Sequence, residues 1–112
     1  CTKFYQRDMD VRDLDFKLGE TPFDKIKEII ISENGYSCGT GDSFVNKKID
    51  MEVDVVDMEA YAIAKVCQLE KIEFRCFKYI SDNADKNASI DWNENLELGA
   101  QTFSKFYNDK VK

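Results

Sequence analysis

A β-branched segment that runs directly into an alanine-rich segment most constrains the fold of this chain. Residues 53–56 favour a strand, and Asp57 can cap a helix that continues to about Cys67 and closes at residues 70–71. The apolar and aromatic residues 74–80 then predict another strand. A strand, a helix and a second strand form a βαβ unit, which favours parallel pairing and a right-handed crossover. The sequence therefore predicts an α/β fold.

Three further elements are predicted around this unit. Residues 4–16 indicate a short strand at the edge of the sheet, and residues 26–31 favour a strand over a helix because three Ile precede a Glu-Asn-Gly turn. A last helix begins at Asp91, with Glu94 in the position of a capping box. Its apolar stripe is expected to pack in the core and consists of Trp92, Leu96, Gly99, Phe103, Phe106 and Tyr107. No linker or repeat is visible, so residues 1–112 are predicted to form one domain.

Charge and composition narrow the classes of partner and of chemistry. The chain has 16 Lys and Arg against 22 Asp and Glu, a net charge of −6, and no basic cluster that would bind a nucleic acid. No apolar run approaches the roughly 20 residues that cross a bilayer, so we expect a soluble chain with no membrane partner. The chain has no His, and acid–base chemistry therefore falls to its carboxylates.

The cysteines and the first residue also carry expectations. Cys1, Cys38, Cys67 and Cys76 form no C-x-x-C pair, so we expect neither a metal site nor a cofactor. Scattered thiols are typical of a reduced cytosolic protein. Because the chain opens at Cys1 without a signal peptide, we expect it to be a piece of a longer protein.

Three polar segments follow the strands of this sequence, namely residues 39–44, 57–59 and 81–85. Ligands of open α/β sheets bind beyond the carboxyl ends of the strands, so these segments are candidates for one site. The Gly-Thr-Gly run of the first segment is neither a dinucleotide loop nor a P-loop, and a tight turn explains it equally well.

Two carboxylates in these segments are candidates for chemistry. Glu59 falls in the first helical turn, where the helix dipole stabilises its ionised form, and it either accepts two ribose hydroxyls or faces water. Asp82 follows a strand predicted to be buried, with Asp85 close by. Burial and a neighbouring like charge are the conditions that make a carboxylic acid a proton donor at neutral pH. A turn formed by Asp82 and Asn83 is the alternative.

In these segments the sequence resembles the 5′-methylthioadenosine/S-adenosylhomocysteine nucleosidases of the purine and uridine phosphorylase superfamily. The matching runs are Thr-Gly-Asp-Ser-Phe-Val at 40–45, Val-Asp-Met-Glu-Ala-Tyr-Ala-Ile-Ala at 56–64 and Ile-Ser-Asp-Asn-Ala-Asp at 80–85. The resemblance extends from about Tyr36 to the last helix. It implies the C-terminal part of a phosphorylase/nucleosidase-type α/β sandwich, with a mixed central sheet flanked by helices.

By matching position, the resemblance implies that the first two segments contact the base and the sugar. Phe44 would stack on the purine ring, and the backbone of Val45 would meet the edge of the base. Met58 would pack under the ribose and Glu59 would hold its hydroxyls, with Asp57 in the same substrate-binding set.

The third segment and the last helix would complete the site. Asp82 would protonate the purine at N7, so that adenine leaves as a neutral base, and Ser81 would support the base site. Trp92 would lie against the 5′ substituent. In this family a Glu near the beginning of the full-length protein activates the water, and Glu20 does not match that position.

The resemblance thus implies hydrolysis of the N-glycosidic bond of purine nucleosides, in a cytoplasmic homo-oligomer that serves methionine salvage. A phosphorylase is the nearest alternative, but it needs Arg residues that converge on phosphate, and Arg7, Arg12 and Arg75 match no such motif. A non-catalytic nucleoside-binding module and a fold that orders only against its other half are the remaining alternatives.

Overall fold

The computed structural model describes all of residues 1–112, which divide into two compact units. The sheet unit consists of Cys1–Phe44 and Ile49–Phe77, and the helical unit consists of Val45–Lys48 and Lys78–Lys112. A single domain, as the C-terminal half of a longer nucleosidase domain, stays a prediction. No helix of the chain is long and apolar enough to cross a membrane.

Four short strands form a mixed sheet in the order β2-β1-β3-β4. Their bounds are Lys3–Gln6 for β1, Ile29–Ile30 for β2, Ser37–Thr40 for β3 and Val55–Asp57 for β4. β1 pairs antiparallel with β2 and parallel with β3, and β3 pairs parallel with β4. The strand predicted within residues 4–16 is formed as β1, but its predicted edge position is wrong, because β2 and β3 cover both sides of β1. Arg12–Leu14 forms a 3₁₀ turn instead.

Helix α1, Ala60–Glu70, packs on this sheet and closes the core of the sheet unit. It contributes Ala60, Tyr61 and Ala64, which are all at most 5% exposed. The two small residues let the helix backbone approach the strands, where Phe4 and Cys38 are fully buried. The predicted end of the helix at residues 70–71 is confirmed, since Lys71 is its left-handed C-cap.

The predicted strand at residues 74–80 is absent from the sheet, so the second strand of the βαβ unit is not formed here. Phe74 and Cys76 do pack against the core, and the Phe74 and Phe4 rings lie 5.4 Å apart between centroids. The amino group of Cys1 also donates to the carbonyl of Cys76 at 2.8 Å. The apolar alternation therefore places Phe74 and Cys76 against the core without adding a strand to the sheet.

The helical unit contains α2, Ala88–Phe106, followed by a π-helical turn, Tyr107–Val111. The predicted start at Asp91 is wrong, because the chain turns into the helix three residues earlier. The Asp85 carboxylate accepts the N–H of Asn87 at 2.9 Å, and its carbonyl accepts the N–H of Ala88 at 3.0 Å. Asp91 lies in the first turn, where a negative charge interacts favourably with the helix dipole.

The predicted apolar stripe of α2 is buried only at Gly99. Trp92 and Leu96 are 40% and 53% exposed, whereas Gly99 and, outside the stripe, Ala88 are buried. At Gly99, a Cβ would lie 2.9 Å from a ring carbon of Tyr79, so only glycine allows this close approach. The buried positions of α2 are therefore held by small residues, and most of the large apolar side chains of the stripe stay exposed.

Asp24 ties the loop before β2 to α1 in the sheet unit. Its carboxylate accepts hydrogen bonds from the Lys65 ammonium, from the Thr21 hydroxyl and, at 3.1 Å, from the N–H of Ile26. These donors, Lys65 first, hold the pKa of Asp24 well below its ordinary value. The same hydrogen bond raises the pKa of Lys65.

We predict that Asp24→Asn lowers the stability of the chain at pH 7 and that the difference becomes smaller as the pH falls below about 4. A lowered carboxyl pKa stabilises the fold above the unfolded value of about 4, and this contribution is lost as the pH falls through the folded value. Urea unfolding between pH 7 and pH 3 measures it. Asp13→Asn removes the same charge from an exposed turn and is the control. An equal loss of stability at every pH would contradict the prediction.

Candidate functional site

Two of the three polar segments leave the sheet side by side. β3 and β4 run parallel, Thr40 and Asp57 are partners at their carboxyl ends, and the N–H of Gly41 donates to the Asp57 carbonyl at 3.1 Å. The loop of residues 41–44 and the Met58-Glu59 pair therefore start from the same edge of the sheet. This part of the predicted convergence is confirmed.

A buried hydrogen-bond network fixes that edge. The hydroxyl of Thr40, a residue only 6% exposed, donates to Asp57 Oδ1 at 2.5 Å and accepts the N–H of Tyr61 at 2.9 Å. Asp57 Oδ2 accepts the N–H of Ala60 at 2.8 Å. The predicted capping role of Asp57 is thus confirmed in substance, although Glu59 occupies the N-cap position. Both Asp57 oxygens serve the scaffold.

Beyond this network, the predicted ligand contacts of the sheet unit are accessible. Phe44 and Met58 are 47% and 44% exposed, in contrast to the fully buried Phe4. Glu59 is exposed, and its carboxylate makes no capping hydrogen bond to α1. An aromatic ring, a thioether and a carboxylate that does not cap the helix are thus exposed on the segments that leave this edge of the sheet.

In the helical unit, Ser81 and Asp82 are held by bonds to the backbone around them. Asp82 accepts the Ser81 hydroxyl at 2.7 Å on one oxygen and the N–H of Ala84 at 2.8 Å on the other. The side chain of Asn95 in α2 donates to the Ser81 carbonyl at 3.0 Å. Asp82 is thus fixed in direction and remains partly exposed. The predicted buried strand before it is not formed.

The predicted site residues are divided between the two units. The sheet unit holds Phe44, Asp57, Met58 and Glu59, and the helical unit holds Val45, Ser81, Asp82 and Trp92. The ligand contacts inferred for these residues and the acid role of Asp82 stay predictions.

Sequence reasoning missed the polar residues that follow β1. Because β1 is parallel to β3, Arg7 and Asp8 lie at the same carboxyl edge as the loop of residues 41–44. The backbone N–H of Arg7 continues the ladder to the Thr40 carbonyl at 2.8 Å. The sequence feature that could have revealed them is the Arg-Asp pair directly after the aromatic residues of β1. It was overlooked because β1 was predicted to lie at the edge of the sheet, away from the candidate site.

Parallel strands that end in polar loops, with a carboxylate at the start of the following helix, define an α/β ligand-binding class. Within that class, the chain belongs to the phosphorylase superfamily, whose family model matches residues 29–110.

Characterised relatives and a solved structure extend this result. The chain is 28% identical to an aminodeoxyfutalosine nucleosidase of Helicobacter pylori over 99% of its own length and 58% of the relative's. It is 30% identical to a 5′-methylthioadenosine/S-adenosylhomocysteine nucleosidase of Glaesserella parasuis over 93% of its length and 56% of the relative's. The Helicobacter pylori enzyme of the latter type, solved with butyl-thio-DADMe-Immucillin-A, superposes with a TM-score of 0.86 at 28% identity. That match covers 98% of this chain and 57% of the enzyme.

Two facts follow from these comparisons. The predicted α/β fold of the phosphorylase/nucleosidase type, with its mixed sheet and flanking helices, is confirmed. The chain spans a little over half the length of the relatives it matches, 58% and 56% in the two cases above.

We predict that Thr40→Val destabilises the chain by about 1–3 kcal/mol, because valine has the same shape but leaves an Asp57 oxygen and the Tyr61 N–H without their partner. Thr40→Ser keeps the hydroxyl and is the matched control. Urea unfolding of both variants measures the difference. If Thr40→Val were as stable as Thr40→Ser, the network would not hold the edge of the sheet.

Proposed function

We propose that this chain carries the purine-nucleoside site of an N-ribosyl hydrolase. The observation that carries the proposal is the common origin of Phe44, Met58 and Glu59 at the carboxyl edge of β3 and β4, in a member of the phosphorylase superfamily. The relatives named above are nucleosidases, which supports a nucleoside as the ligand.

Each proposed contact matches a chemical feature of a nucleoside. The exposed ring of Phe44 offers a stacking face for the purine, and the Met58 thioether offers an apolar surface for the sugar. The exposed carboxylate of Glu59 has acceptor oxygens for the two hydroxyls of a ribose, and an ionised acceptor strengthens both hydrogen bonds. Trp92 remains accessible for the 5′ substituent.

In the proposed reaction, water replaces the base at C1′ of the ribose. The C1′–N9 bond breaks, its electron pair passes to the purine, and the Asp82 carboxylic acid delivers a proton to N7. Adenine then leaves as a neutral base, while the water oxygen bonds to the oxocarbenium-like C1′ and loses a proton to the solvent. The Asp82 carboxylate takes a proton from the solvent before the next turnover. The Ser81 hydroxyl and the Ala84 N–H fix the direction of the Asp82 carboxyl. No residue of this chain is assigned to water activation.

The test is adenine release from 5′-methylthioadenosine by the 112-residue chain. The reaction is run in buffer with and without phosphate, and chromatography measures the adenine. Release without phosphate is the result expected of a hydrolase, and it would place the water activator within residues 1–112. Asp82→Asn should lower turnover by about 10²–10⁴-fold, the range that a general acid contributes, and should leave nucleoside binding nearly unchanged. Asp85→Asn is the matched control, because its carboxyl group serves the start of α2.

Other outcomes select the alternatives. Release only with phosphate would identify a phosphorylase. Binding without release would identify a half-site that lacks its water activator, or a module that only binds nucleosides. Full activity of Asp82→Asn would contradict its role as the acid.

The substrate range and the cellular context are also proposals that rest on the resemblance. We propose that S-adenosylhomocysteine or a similar nucleoside is a further substrate. We also propose that the protein is a cytoplasmic homo-oligomer that takes part in methionine salvage.

A further inference from the structure

Arg7 and Asp8, which follow β1, contact the loop of residues 41–44 from outside the proposed ligand contacts. The Arg7 guanidinium donates to the Ser43 carbonyl through Nη2 and to the Ser43 hydroxyl, at 3.3 Å, through Nη1. Asp8 Oδ2 accepts the N–H of Asp42 at 2.7 Å. Arg7 and Asp8, which follow β1, thus hold two successive loop residues. Ser43 is held through its carbonyl and hydroxyl, and Asp42 is held through its N–H.

Gly41 makes this contact possible by leaving space. A Cβ at this position would lie 2.8 Å from Arg7 Cζ and 2.8 Å from Asp8 Oδ2. The backbone of Gly41 is not left-handed, unlike that of Gly19 and Gly35, so conformational freedom is not the reason for glycine here. The loop begins with glycine because two charged side chains pass over its backbone.

The position of the Arg7 guanidinium lowers the stability of the fold, because one of its donors is unsatisfied. Arg7 Nε is buried and has no hydrogen-bond partner, although the residue as a whole is only half-buried. An unpaired buried donor lowers stability, since it gives up water without a replacement. A surface arginine that contributed only to solubility could turn outward and regain that water. Its retention against Ser43 therefore calls for a role other than stability.

We propose that Arg7 and Asp8 are positioning residues that hold the loop of residues 41–44 so that Phe44 is preset for the base. We call the two residues the loop clamp. This inference rests on the proposed function, because it assigns the clamp to a purine-stacking Phe44. The clamp residues do not touch the ligand in this account.

The clamp acts by removing loop freedom before the ligand arrives. Binding to a mobile loop costs the entropy of ordering its backbone, and a loop that is already ordered avoids this cost. Freeing about one residue would weaken affinity about tenfold, which corresponds to about 1.4 kcal/mol. The chemical step at C1′ would be unaffected, so the loss should appear in the KM or Kd and not in kcat.

The test combines the Kd for 5′-methylthioadenosine, measured by calorimetry, with hydrogen exchange of the Asp42, Ser43 and Phe44 amides. Arg7→Met keeps the length of the side chain and removes its donors. We expect it to weaken affinity about tenfold and to accelerate exchange at these amides, with urea stability equal to or above that of the unaltered chain. Arg75→Met is the matched control, because Arg75 is 74% exposed and pairs with Glu73.

Asp8 offers a rescue that separates positioning from charge. Asp8→Ala should accelerate exchange of the Asp42 amide and weaken binding, whereas Asp8→Asn keeps an acceptor oxygen and should restore both. If Asp8→Asn behaved like Asp8→Ala, the hydrogen bond to Asp42 would not be the cause.

Gly41→Ala gives an independent variant, because the added methyl meets the mobile ends of Arg7 and Asp8 and should open the clamp without unfolding the sheet. We expect the same loss of affinity as in Arg7→Met. In the double variant Gly41→Ala/Arg7→Met, the two losses of affinity should be less than additive, because both substitutions disrupt the same contact between Arg7 and the loop.

The outcomes distinguish this proposal from the proposed function. Normal nucleoside binding by the unaltered chain, with unchanged affinity in Arg7→Met and Gly41→Ala, would overturn the clamp alone. The same would follow if the loop amides exchanged faster while affinity stayed constant. A complete absence of nucleoside binding by the unaltered chain would overturn the proposed function and, with it, the purpose of the clamp.

Discussion

The hydrogen bond between the Thr40 hydroxyl and the Asp57 carboxylate is the contact on which the polar edge of the sheet unit depends. It joins the carboxyl ends of two parallel strands, and the same two side chains accept the first N–H groups of α1. An oxygen that is nearly excluded from water gains most from such a bond, because its alternative is an unpaired buried group. The contact therefore sets where the loop of residues 41–44 leaves the sheet and where Glu59 begins the helix.

The candidate residues of each unit are held by different means. In the sheet unit, a backbone ladder and buried side chains fix the loops, and the ligand-facing residues are left exposed at their ends. In the helical unit, Asp82 owes its direction to the neighbouring Ser81 and Ala84 and to the hold of Asn95 on the Ser81 carbonyl. Rigid support beneath an accessible reactive group is the arrangement that a binding or catalytic site requires.

The sequence predicted local features well and long-range pairing poorly. Helix α1 and its end followed from the β-branched run, the alanines and the Glu-Lys close, and the polar edge followed from residues placed after strands. The place of β1 inside the sheet did not follow, because the pairing that buries it involves residues more than 20 positions away. For the same reason, Arg7 was placed outside the candidate site, and residues 74–80 were predicted to form a strand although they pack on the core outside the sheet. In α2, apolar spacing predicted a buried stripe of large side chains, but the residue of that stripe that is buried is Gly99, which approaches Tyr79 closely.

The central claim is that the carboxyl edge of β3 and β4 binds a purine nucleoside. The most direct measurement is an amide NMR titration of the chain with 5′-methylthioadenosine. The account predicts saturable shifts concentrated at residues 42–44 and 58–59, with little change in the Arg12–Leu14 turn. Shifts that are absent at high nucleoside concentration, or that lie away from this edge, would contradict it.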